Sequence, residues 1–345
     1  MSNTSIQNKQ RSLSIDMVKG VSIMSLFFLH FENGWMPTEY NYFIVRSPSF
    51  YFVVGWLWGM SSNKKTIRGH WSKRKEGLVK PFLWLSLIFI CFDAVMVMLG
   101  QYNLSVLGRD IYKTVTLRGI GTLWFLPALL GGEMLFIYFR DRNLIAKIFL
   151  LAISFSIIFL FNKYSLTPLA KNSILDFAIK SPLNVLSDCS NAFIHIFIAY
   201  AISSRYGKQI FNSKNIYLSI AGILLLAVSF YAFNFFSSQY LSIQILAHIA
   251  ANIVVSTGIL SLFRSLECFK PLSMPLSYCG KNSLTIMAFH FCILLQLAII
   301  IDKNVLGYTS YYGGRTIIYF LIALLLQVAI IEIINKRFRF IIGKN

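Results

Sequence analysis

Apolar runs of about twenty residues recur along almost the whole chain with only short polar stretches between them, so most of the polypeptide is built to cross a bilayer. The runs fall near residues 13–34, 42–61, 77–100, 120–139, 144–162, 183–203, 215–236, 242–263, 275–301 and 315–335. A segment in hydrocarbon must satisfy its own backbone hydrogen bonds, and these runs lack the alternation of barrel strands, so each predicts a helix. The expected fold is all-α, a polytopic transmembrane bundle of about ten helices. No polar segment is long enough for a separate soluble unit, so residues 1–345 read as a single integral membrane domain. Composition agrees: 13% of residues are charged, where a soluble domain carries roughly a quarter, and mean hydropathy is +0.64.

Several features narrow the class. The polar start MSNTSIQNKQR leads into the first apolar run without a small-residue cleavage site, so the first helix is expected to remain as an anchor. The five cysteines form no CxxC pair and most sit inside apolar runs, so neither a disulfide framework nor a metal site is expected. Basic residues alternate by loop: two precede the first run, seven lie in 64–80, three each fall in 140–147, 205–214 and 264–281, and four follow 335. That is 22 of 32 on one side, and the positive-inside rule places both termini and the 62–76 loop in the cytoplasm of a multi-pass cell inner (plasma) membrane protein. The net charge of +19 is dispersed over these loops, so topology accounts for it and no nucleic acid partner is implied.

Function is sought among polar residues inside the runs, because each is costly in lipid. The first helix holds Asp16, Lys19 and His30. Eleven residues separate Lys19 from His30, within about 20° of whole turns, so the two share a stripe and lie roughly 16 Å apart along the axis. Asp16 can pair with Lys19 on the same face. In the sixth run Asn184, Asp188, Asn191 and His195 form one face; Gln244, His248 and Asn252 do so in the eighth, and Ser283 and His290 in the ninth. Each can equally be an interhelical hydrogen-bonding residue. Four of the five histidines thus read as intramembrane, with His70 in a loop. Glu133 in the fourth run needs a cation or a proton at its depth, and can orient an imidazole or bind a substrate. Trp124 and Phe125 can stack on the flat face of a ligand ring or anchor a helix end at the interface.

Asp16, Lys19, Gly20 and His30 together resemble the first-helix signature of acyltransferase family 3, membrane enzymes that move acyl groups onto sugars of cell-surface polysaccharides. SPSFYFVVGWLWG, GTLWFLPALL (Gly121 to Leu130) and SYCGKNSLTIMAFH (Ser277 to His290) follow in the family's order. The first-helix basic residue is lysine where the family often has arginine, and the RxxR pattern of the second loop is reduced to Lys73, Arg74 and Lys75, a point charge replacing a bidentate fork. The resemblance implies an O-acyltransferase, most simply an O-acetyltransferase, that takes an acetyl group from cytoplasmic acetyl-coenzyme A as donor, with no permanently bound cofactor, to a sugar or polysaccharide acceptor. The stripe from Lys19 to His30 has the reach of the pantetheine arm, and His30 acts as base or acyl acceptor. On this reading His30 is catalytic, and the substrate-binding candidates are Asp16, Lys19, Lys73, Arg74, Trp124, Glu133, Asn282, Ser283 and His290, with Lys64, Lys65, Lys73, Arg74 and Lys75, Arg74 foremost, on the coenzyme A phosphates. The alternative is a transporter or flippase for a lipid-linked sugar, which predicts paired broken helices that the sequence lacks.

Overall fold

The computed structural model describes residues 12–32, 48–61, 66–165, 167–170, 172–212, 217, 220, 224, 240–308 and 314–344. These form α1 (Leu13–Glu32), α2 (Pro48–Met60), α3 (Ile67–Met98), α4 (Leu104–Val115), α5 (Gly121–Arg140), α6 (Leu144–Ser165), α7 (Ser173–Asn212), α8 (Leu241–Ser265), α9 (Lys270–Lys281), α10 (Ser283–Asn304) and α11 (Gly314–Arg337). No strand occurs among the described residues. Eight of these helices are long and apolar enough to cross a membrane, and α2 is a shorter apolar helix. The all-α polytopic expectation holds; the run at 215–236 and the first part of the run at 42–61 lie largely outside the described residues.

Glycine sets how closely the central helices approach. A Cβ on Gly20 would overlap the Leu276 carbonyl of α9, and one on Gly280 of α9 would overlap the Asp16 carbonyl of α1, so the two helices meet backbone to backbone at both points. Gly55 and Gly59 bring α2 onto α7 at Ile196 and Ser203, while Gly131 and Gly132 bring α5 onto α7 at Cys189 and Ala192. Where lipid is as apolar as any side chain, such close packing is what holds helices together. The aromatic filling between them, Phe27, Phe31, Phe52, Trp56, Phe136 and Phe193, is fully buried. At the entry end of α1, the Ser14 amide donates to the Glu267 carboxylate (2.9 Å), which satisfies one of the helix's unpaired N–H groups and is itself held by Arg264 (2.6 Å).

Three runs differ from expectation. α3 begins at Ile67 rather than near 77, and passes through a widened π turn at Lys75–Val79 just before Pro81. Proline has no N–H and crowds the carbonyl four residues back, and a π turn absorbs both effects. His70 therefore belongs to a helix and is buried, which corrects its assignment to a loop. α7 spans Ser173–Asn212 with Pro182 inside it. The carbonyl that Pro182 leaves without its helical donor, that of Ala178, accepts the Tyr112 hydroxyl of α4 instead (2.8 Å), so the helix continues. The run at 275–301 is broken at Asn282, whose amide Nδ2 folds back to the Tyr278 carbonyl (2.9 Å) and whose Oδ1 accepts from Asn335 of α11 (2.8 Å). That side chain offers the backbone an alternative to the helix ladder, and the ladder stops there.

Candidate active site

α1 carries Lys19, Ile23, Leu26 and His30 on one stripe, and Ile23, Leu26 and His30 line a cavity of about 470 Å³. The part of that stripe from Ile23 to His30 is therefore the part that faces the cavity. The rings of His30 and His290 lie 5.0 Å apart and 14° from parallel, with His30 Nδ1 2.8 Å from His290 Nε2. Phe291 flanks His30 on another side, its ring 4.7 Å away, and Phe27 packs on His290 at 5.2 Å. His290 opens a π turn, His290–Leu295, within α10. Thr122 Oγ1 donates to the Met287 carbonyl (2.5 Å), just ahead of that turn, and ties α10 to the start of α5.

α5 starts with a 3-10 turn over Gly121–Trp124, and Gly121 has φ +51° while packing against Cys292 and Phe291. Only glycine fits both the conformation and the space. This turn sets Trp124 and Phe125 on the cavity wall. Asn184 and Asp188 of α7 line it as well, with Lys113 and Arg118. Arg118 stands 3.8 Å from Asp188, and Lys113 bonds Asp110 (2.6 Å). Burial draws the Arg118 guanidinium below its usual range, and the Asp188 charge opposes that. The cavity thus combines an imidazole, an indole, an amide and a carboxylate–guanidinium pair, which is hydrogen-bonding and stacking chemistry for a polyhydroxylated ligand.

A second polar cluster lies nine residues further along α5, roughly 14 Å deeper. Glu133 has no exposed surface; it bonds Arg74 through Oε1 and His70 Nε2 through Oε2 (3.2 Å). Arg74 Nε lies 3.3 Å from the same His70 Nε2, whose hydrogen goes to the carboxylate, and the His70 ring packs on Trp58 at 5.2 Å. Glu133 so finds both the cation and the imidazole that its depth demands.

Of the residues singled out from sequence, His30, Trp124, Phe125, Asn184 and Asp188 line the cavity, and His290 joins them through its bond to His30. Arg74 and Glu133 join each other in the deeper cluster, and Lys73 is exposed beside it. Asp16 is buried against α9, and Lys19 is half-buried one turn further on. Asn282 is engaged at the α9–α10 break, and Ser283 starts α10 half-buried. Phe291, Arg118 and Lys113 were not singled out. Arg118 had a faint signal, a cation next to Gly119 just ahead of GTLWFLP.

Fold and site define a multi-pass membrane protein with a histidine-bearing cavity among its helices. The family described as Acyltransferase domain, acyltransferase family 3, matches residues 12–340. The chain belongs to that family and is an acyltransferase, which sets aside the flippase alternative. No curated protein and no solved structure matches the chain.

Proposed function

We propose that this acyltransferase moves an acetyl group from acetyl-coenzyme A to a hydroxyl of a cell-surface or lipid-linked sugar, with His30 as base or acyl acceptor. The observation that carries the reading is the position of His30 on the wall of the cavity that Trp124, Asn184 and Asp188 also line. A pyranose stacks on the indole through its apolar face while Asn184 and the Asp188–Arg118 pair bond its hydroxyls. As base, His30 takes the hydroxyl proton while the sugar oxygen attacks the thioester carbonyl; the C–S bond breaks, and the departing thiolate recovers a proton. As acyl acceptor, the imidazole displaces the thiolate first and then yields the acetyl group to the sugar.

The donor approaches from the cytoplasm, where the termini also lie, and its pantetheine arm follows the stripe from Lys19 to His30, about 16 Å. The phosphates stay behind with Lys73 and Arg74. Coenzyme A bears no charge along that arm, which suits the apolar Ile23 and Leu26 between the two polar residues. The protein then works in the plasma membrane, with its acceptor on the far face.

Purified protein in nanodiscs, given acetyl-coenzyme A labelled in the acetyl group, is expected to release free thiol and to label a sugar acceptor in equal amounts. Thiol release with no acceptor labelled among neutral and acidic polysaccharides would remove the sugar, and neither product would remove the donor.

A further inference from the structure

His290 Nδ1 lies 2.6 Å from the Ile286 carbonyl, one turn earlier in α10. A carbonyl oxygen can only accept, so Nδ1 carries the hydrogen. With the ring neutral, His290 Nε2 is then an acceptor, and it faces His30 Nδ1 at 2.8 Å. His30 must donate through Nδ1, and its lone pair falls on Nε2. The reverse assignment requires an imidazolium at His290, which has no exposed surface and is packed between Phe27 and a second imidazole. A charge buried in that setting is far costlier than a neutral ring.

We infer that His290 is a positioning residue that holds His30 in its Nδ1–H tautomer, so that Nε2 is the nitrogen that reacts. The inference rests on the catalytic reading of His30. It reassigns His290 from binding substrate to aiming the residue that does. Three features make the arrangement rigid. The Ile286 carbonyl belongs to the helix and fixes the His290 ring; Phe291 packs on a second side of His30; and Thr122 pins the neighbouring Met287 carbonyl. When Nε2 takes the acceptor's proton, His30 becomes an imidazolium and its Nδ1–H bond to His290 becomes charge-assisted and stronger. The proton returns from Nε2 to the departing thiolate, so His290 never needs to change charge. A neutral orienting group holds that ion less tightly than a carboxylate does, which suits a base that must give the proton back within one turnover.

Two substitutions at His290 separate aiming from filling. The glutamine of His290→Gln can place an amide oxygen near the position of Nε2, so it is expected to retain most of the turnover. His290→Leu fills the space without an acceptor and is expected to lose about 10²- to 10⁴-fold in kcat, the range for a misdirected or missing general base. Donor and acceptor KM should stay near wild type in both. The tautomer itself is read by ¹⁵N NMR of histidine-labelled protein in nanodiscs, the His30 signals being those lost in His30→Ala. Wild type should show Nδ1 protonated and Nε2 bare, and His290→Leu a mixture. An Nε2-protonated His30 in active wild type overturns the inference, as does full-speed His290→Leu in folded protein. Full turnover in His30→Ala instead overturns the catalytic reading of His30, which the wild-type NMR result does not touch. If His290→Leu does not fold, the wild-type spectrum and His290→Gln still decide.

Discussion

Two intramembrane imidazoles, one buried and one half-buried, sit at opposite depths of this bundle, and their partners differ in kind. His70 meets Glu133 and Arg74, a carboxylate and a guanidinium within hydrogen-bonding reach, in a closed cluster. His30 meets another imidazole, and beside it lies a cavity. In the first, every charge finds an opposite charge at contact distance, which is how a membrane protein carries ionisable groups for stability. In the second, a neighbouring ring supplies direction, and His30 stands on the wall of a cavity where a ligand can come. Buried histidine alone therefore says little about catalysis; what stands on its two nitrogens says much more.

If the deeper cluster is chiefly structural, Glu133→Ala should lower stability more than any other single change at either imidazole. It strands Arg74 and His70 without their carboxylate, a loss of about 3–5 kcal/mol for a fully buried pair and nearer the low end for this one, because Arg74 is 26% exposed and can turn toward water. Thermal unfolding in nanodiscs measures it. Charge removal at Arg74 should cost less and should also weaken donor binding; unchanged KM for acetyl-coenzyme A would end its role at the phosphates. A stable, inactive Glu133→Ala protein would make the deeper cluster part of the chemistry and dissolve the contrast.

Gly280→Val tests whether the spacing of α1 matters to the upper pair. The added side chain meets the Asp16 carbonyl, so α1 and α9 must separate, at about 1–3 kcal/mol. Turnover should fall further than stability accounts for, since His30 stands on α1 and His290 on α10, which follows α9 directly across the Asn282 break. Gly108→Ala, with nothing within 4 Å of the new methyl, is the control and should leave both unchanged or slightly improve stability. Trp124→Ala should raise acceptor KM by about 5- to 10-fold, the worth of one lost stacking contact, and leave donor KM alone. Equal rises in both would move the indole away from the acceptor side.

Helices whose register depends only on hydropathy were legible in the sequence. The runs at 13–34, 120–139, 144–162, 242–263 and 315–335 lie within three residues of α1, α5, α6, α8 and α11 at either end. The start of α3 was not legible, because IRGHWSKRKE reads as a polar loop until His70 finds Glu133, 63 residues away. The same holds for the break at Asn282, which depends on an asparagine of α11. At the site, the spacing of Lys19 and His30 gave the cavity face, since one helix carries both. The pairing of His30 with His290 spans 260 residues, and no local pattern could announce it.

The most direct test sets His30→Ala beside His70→Ala in the same nanodisc preparation and measures acetyl transfer and thermal unfolding on each. Losing an interhelical hydrogen bond in a membrane averages about 0.6 kcal/mol, so His30→Ala should unfold close to wild type while transfer falls by about 10²- to 10⁴-fold. His70→Ala should show the opposite balance, the larger loss in stability and the smaller in rate. Near-normal transfer in a folded His30→Ala protein would contradict the account.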